Sequence, residues 1–158
     1  MPDGAAEHGT AQHTQRRAVA CAPDAPVVTT SPGPQSYTEN DPATPVDPNV
    51  SVFDADADAT ITRGTVAITE NWRPEEDALQ FTDQNGVSGS FDSGTGVLTL
   101  AGTASVATYQ AALRTVTYRN TAEDPSTDTR RVAFMVTDDA GLDGRTGTAE
   151  NGVSWECK

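Results

Sequence analysis

The sequence lacks most of what a common catalytic site is made from. Its two histidines, His8 and His13, both lie in a polar N-terminal stretch. It has no Gly-x-Ser-x-Gly elbow and no phosphate-cradling glycine loop. Catalysis needs a positioned base or nucleophile in a concave site, so the chain is expected not to be an enzyme. Cysteine is equally scarce: Cys21 and Cys157 stand near opposite ends and form no Cys-x-x-Cys pair, which leaves a zinc cluster unsupported. A bridge between them would stabilise the fold by roughly 2–5 kcal/mol in the entropic account. The alternative is two exposed thiols. No run is long and apolar enough to span a bilayer. Arg16-Arg17 ahead of Ala18-Val19-Ala20-Cys21 faintly resembles an export signal but lacks the apolar central region. Positive charge is short too. Ten Lys and Arg face 23 Asp and Glu, for a net charge of −13. That excess excludes the basic face nucleic acid requires. It also disfavours an anionic membrane surface. It suits divalent cations, high salt or plain solubility.

What the chain does contain is short β-type alternation. "NVSVFD" puts Val50 and Val52 on one face and Ser51 and Phe53 on the other. "RGTVAIT" turns Val66 and Ile68 inward, and Leu79 and Phe81 share a face. "DQNG" supplies an Asn-Gly turn, and "VSGSF…VLTLAG" reads as a hairpin. Val132, Phe134 and Val136 alternate in the last clear strand. One stretch departs from this period. "SVATYQAALR" places Val106, Tyr109 and Leu113 on one helical face, with Ser105 able to cap it. Seven or eight short strands with one brief helix predict an all-β chain, an antiparallel β-sandwich. The domain is expected over 26–141. Residues 1–25 read as disordered, being polar, small and aperiodic, and 142–158 as a loose glycine-rich tail.

"APVVTTSPGPQSYTENDPATPVDPNVSVFDADADATI" and "TGVLTLAGTASVATYQAALRTVTYRNT" resemble the cadherin-like repeats of large bacterial surface and secreted proteins, including those that accompany RTX-type repeats. The resemblance implies an immunoglobulin-like sandwich, normally arrayed in tandem on exported proteins. It also implies adhesion or a structural role, sometimes with calcium at domain junctions. The expected location is extracellular, and the expected partners are neighbouring repeat domains or a cell-surface ligand. No membrane insertion is expected, and the chain is read as a monomer.

Calcium takes six to eight oxygen ligands, several of them carboxylates. The resemblance nominates Glu39 in "YTEN", Asp54 and Asp56 in "VFDAD", and Asp138 in "VTDDAG" as ligands. Asp58 lies one step past that pattern. At "TYRN", ending in Asn120, the family's acidic residue is missing. The competing reading is a solvated acidic face, because alternate aspartates in a strand share one side. Trp72, in the polar context "ENWRPEED", is a candidate partner contact or sugar-stacking platform, or else a lid on one end of the core. Three functions therefore stand side by side: a calcium-dependent module, a metal-free spacer or fragment of a repeat protein, and a carbohydrate-binding module.

Overall fold

The computed structural model describes residues 23–56, 58–145 and 151–155. Of the segment 1–25, read above as disordered, residues 1–22 lie outside the described residues, as do both cysteines. The strands are β1 (Val27–Thr29), β2 (Gln35–Tyr37), β3 (Thr44–Pro45), β4 (Ser51–Phe53), β5 (Thr60–Glu70) and β6 (Asp77–Gln80). They continue with β7 (Ser88–Asp92), β8 (Val97–Ser105), the helix α1 (Val106–Arg114), β9 (Thr117–Asn120), β10 (Arg130–Asp138), β11 (Asp143–Arg145) and β12 (Asn151–Trp155). The larger sheet runs β2-β12-β10-β5-β8-β7, with β11 also beside β10. The smaller sheets are β3-β9-β6 and the pair β1-β4. All pairings are antiparallel except β12 with β2, and the inward residues form one hydrophobic core. Among the described residues this is the all-β sandwich with one short helix.

Local chemistry accounts for the elements. In β10, Val132, Phe134 and Val136 are buried and lie opposite Ile68, Val66 and Gly64 of β5. Gly64 leaves room for the Tyr109 ring of α1, whose nearest atom would stand 3.3 Å from an added Cβ. The helix begins where Ser105 Oγ accepts the Thr108 N–H at 3.1 Å. It buries Tyr109, Ala112 and Leu113. Its outer side chains close the edge of β4. Val52 N–H donates to Gln110 Oε1 at 3.0 Å, and Arg114 Nε donates to the Val50 carbonyl at 2.8 Å. Those edge groups are thereby withdrawn from pairing with another chain. Asn85 and Gly86 both take positive φ, 51° and 82°, as a two-residue hairpin turn with the twist of its strands demands.

The C-terminal region differs from the expectation. Within the segment 142–158, read as a loose tail, β11 pairs with Met135–Thr137 and β12 with Arg130–Val132. The reason is tertiary. β10 is nine residues long and has β5 on one side only, so its other edge offers unpaired backbone groups along its length. Glycine-rich segments with weak strand preference are recruited by that edge.

Candidate metal centre

The β10 alternation carries two charged residues to the core face, one at each end. Arg130, Val132, Phe134, Val136 and Asp138 share the inward phase, and all five are buried. The two ends of the sandwich therefore hold different polar clusters. Eight residue steps separate them, roughly 26 Å along a strand.

At one end, β4 runs out into Asp54 and Asp56, and β10 ends at Asp138. One carboxylate oxygen from each of these three aspartates lies within 4.8 Å of the others. Each carboxylate is anchored by one oxygen. Asp54 Oδ1 accepts the Asp56 N–H at 2.9 Å, a local turn bond. Asp138 Oδ1 accepts the Ala140 and Leu142 N–H groups at 3.0 and 2.7 Å and so builds the turn into β11. Asp56 Oδ2 accepts the Asp24 N–H at 2.8 Å, which ties down the segment entering β1. Gly144 lets that segment pass close to β11, since a Cβ there would collide with the Pro26 carbonyl. The remaining oxygens of Asp54 and Asp138 are buried and have no hydrogen-bond partner among the described residues.

Buried polar atoms are normally satisfied, and buried charge without a partner is costly. Two orphaned carboxylate oxygens beside a third carboxylate form an acceptor-only cluster. The donor set is hard oxygen, which suits calcium or magnesium rather than a soft metal. Calcium–oxygen bonds run about 2.3–2.6 Å, so ligands across one ion stand roughly 5 Å apart, compatible with this cluster.

The sequence-nominated residues divide accordingly. Asp54, Asp56 and Asp138 come together. Asp58 is exposed in a left-handed turn, φ 60°, outside the cluster. Glu39 is placed elsewhere. It follows β2, whose last residue, Tyr37, donates its hydroxyl to the Asp41 carbonyl at 2.7 Å and to that of Asn120 at 3.4 Å. Both contacts lie at the Arg130 end. The parallel pairing of β2 with β12 fixes this, because it aims Tyr37 past the start of β10. Asn120 lies at that end too, so its lack of a carboxylate has no bearing on the aspartate cluster.

The far end holds a cluster that sequence reading passed over. Arg130 Nε donates to Asp77 Oδ2 at 3.0 Å and Nη2 to Glu76 Oε2 at 3.0 Å. Nη1 reaches the carbonyls of Ser126 and Asp128 at 2.6 and 2.7 Å. Asp77 Oδ1 accepts from the Tyr118 hydroxyl at 2.5 Å and from Asn120 Nδ2 at 3.0 Å. Burial works against the guanidinium charge, but the Asp77 hydrogen bond and the surrounding negative groups outweigh it and raise the Arg130 pKa. Burial, with Asp77 next to it, pushes the Tyr118 hydroxyl far above the ordinary tyrosine range. One signal was available: Arg130 is in phase with Val132, and Asp77 with Leu79.

Trp72 is half-buried at the same end. Its ring meets Phe91 edge-on at 5.9 Å and lies on Gly96, where an added Cβ would stand 2.8 Å from it. Its indole N–H is buried without a partner among the described residues.

Fold and cluster together define an all-β sandwich domain with an acidic, cation-sized site at the end where β1 begins. No family model matches the chain. The chain is similar to Halomucin of Haloquadratum walsbyi (strain DSM 16790 / HBSQ001), with 40% identity over 132 residues. That match covers 78% of this chain but only 1% of Halomucin, so the chain spans about a hundredth of its relative's length.

Proposed function

We propose that this chain is a non-catalytic, extracellular, cadherin-like module in which Asp54, Asp56 and Asp138 bind calcium. Its role on this reading is structural or adhesive: calcium ties the segment leaving β4 to the end of β10. The observation that carries the reading is the pair of buried, unpartnered oxygens on Asp54 and Asp138, beside the Asp56 carboxylate. A bound divalent ion would supply the missing partner and relieve the mutual repulsion of three like charges. The similarity to a short stretch of a far longer protein supports reading the chain as one module among others. The absence of histidine from 14–158 supports a role without acid–base chemistry.

A melt with and without calcium tests it. A ligand that binds only the folded state stabilises by RT ln(1 + [L]/Kd), about 1.4 kcal/mol at ten times Kd. With Kd in the range of about 10⁻⁴ to 10⁻³ M for extracellular modules, several millimolar calcium is expected to raise Tm measurably. Asp54→Asn and Asp138→Asn keep the oxygen that anchors each turn and remove the charge, so each is expected to abolish the rise. An unchanged Tm in the parent protein sinks the metal reading.

A second reading, a metal-free spacer, has one observation in its favour. Each aspartate already accepts a backbone N–H: those at Asp54 and Asp138 shape local turns, and the one at Asp56 holds the segment entering β1. On that reading Asp54→Asn and Asp138→Asn alter stability equally with and without calcium.

A further inference from the structure

The chain has six asparagines, and Asn49 alone has a hydroxyl residue two positions on, in Asn49-Val50-Ser51. With a residue other than proline in the middle, that is the acceptor pattern for N-linked glycan. The structure adds what the pattern lacks. Asn49 is exposed in the turn between β3 and β4. The turn is built without its side chain. Asp47 Oδ1 accepts the Asn49 N–H at 2.9 Å, and the Asp47 carbonyl accepts the Val50 N–H at 3.5 Å. Pro48 presets the backbone at the turn's second position. Asp47 is itself buried and held by Ser31, whose N–H and hydroxyl each donate to it at 2.8 Å. The Asn49 amide makes no hydrogen bond among the described residues. By contrast Asn71 and Asn120 commit their amides to the Thr129 carbonyl and to Asp77.

We propose that Asn49 is an N-glycosylation site. The proposal rests on the exported reading above, because the transferases concerned act on chains that leave the cytoplasm. In the transfer, Asn49 Nδ2 bonds to C1 of an oligosaccharide carried on a polyprenyl phosphate or pyrophosphate. The C1–O bond breaks and the lipid phosphate leaves with the bonding electrons. The Nδ2 proton passes to a base of the transferase, and no oxidant is needed. Val50 fixes the timing. It is fully buried, and its carbonyl is held by Arg114 Nε at 2.8 Å. The folded chain therefore cannot present Asn49 and Ser51 together as an extended peptide, so the glycan is added before β4 docks. Afterwards it stands on an exposed turn and displaces nothing in the core.

The test is peptide mass spectrometry on the chain isolated from the surface fraction of its own cells. A glycan mass is expected on the peptide holding Asn49, and its enzymatic release in heavy-oxygen water is expected to leave a labelled aspartate at that position. In the same cells Asn49→Gln and Ser51→Ala are each expected to abolish the modification, while Ser51→Thr retains it. Melting of the variants shows that they fold. An exported chain with a bare Asn49 overturns the site and leaves the exported reading standing. A bare chain held in the cytoplasm overturns both.

Discussion

The two ends of this sandwich carry acidic residues in comparable settings and treat them in opposite ways. At the far end, Asp77 and Glu76 meet Arg130, and Asp77 uses both oxygens. At the near end, Asp54, Asp56 and Asp138 meet no cationic side chain among the described residues, and two oxygens stay unpartnered there. The difference teaches how to read a carboxylate cluster. Where the fold supplies its own cation the cluster is closed and structural. Where it supplies none, the cluster is the candidate site we propose for a cation from solution.

The comparison can be broken first at the arginine. Arg130→Met leaves Asp77 and Glu76 without their counter-charge, and removing one member of a buried pair costs about 3–5 kcal/mol. Urea unfolding is expected to show a loss of that size, equal with and without calcium. Tyr118→Phe comes next. A hydrogen bond to a charged group is worth about 1.5–3 kcal/mol. The same residue also sets a pH dependence. Its folded pKa lies above the unfolded value of 10.0, so the neutral hydroxyl stabilises the fold fully below that value. As pH rises above about 10 this contribution is progressively lost. Tm measured from pH 8 upward is expected to fall in the alkaline range, and less steeply in Tyr118→Phe.

Calcium sharpens the contrast from the other side. It is expected to slow amide exchange around Asp56 and around Ala140–Leu142 while leaving Thr121 and Ser126 unchanged. Uniform slowing would mean stabilisation of the whole domain without a distinction between its ends. The smallest effect expected is that of Glu39→Gln, within about 0.5 kcal/mol as for most surface changes. Its calcium-induced rise in Tm should match the parent's. Loss of that rise would return Glu39 to the site.

Much of the fold was legible because it rests on local period. Val50 and Val52, Val66 and Ile68, and Val132 to Val136 alternate as buried strands do, and Tyr109 and Leu113 recur at helical spacing. Part of the candidate centre was legible as well. Asp54 and Asp56 are neighbours in sequence, and Asp138 closes a strand whose phase could be counted. The companion assigned to them was misplaced. Glu39 precedes Asp54 by only fifteen positions, yet β2 carries it to the opposite end.

The sequence by itself determined the all-β class, the helix with its Ser105 cap, and the inward phase of each long strand. These follow from side-chain alternation and capping chemistry, which act over a few residues. Only the tertiary structure decided which charges meet. Strand pairing took β12 to the open edge of β10, aimed Tyr37 and then Glu39 past Arg130, and set Asp138 beside Asp54. The physical reason is that a sheet joins residues by hydrogen-bond register between distant segments. No local period records that register.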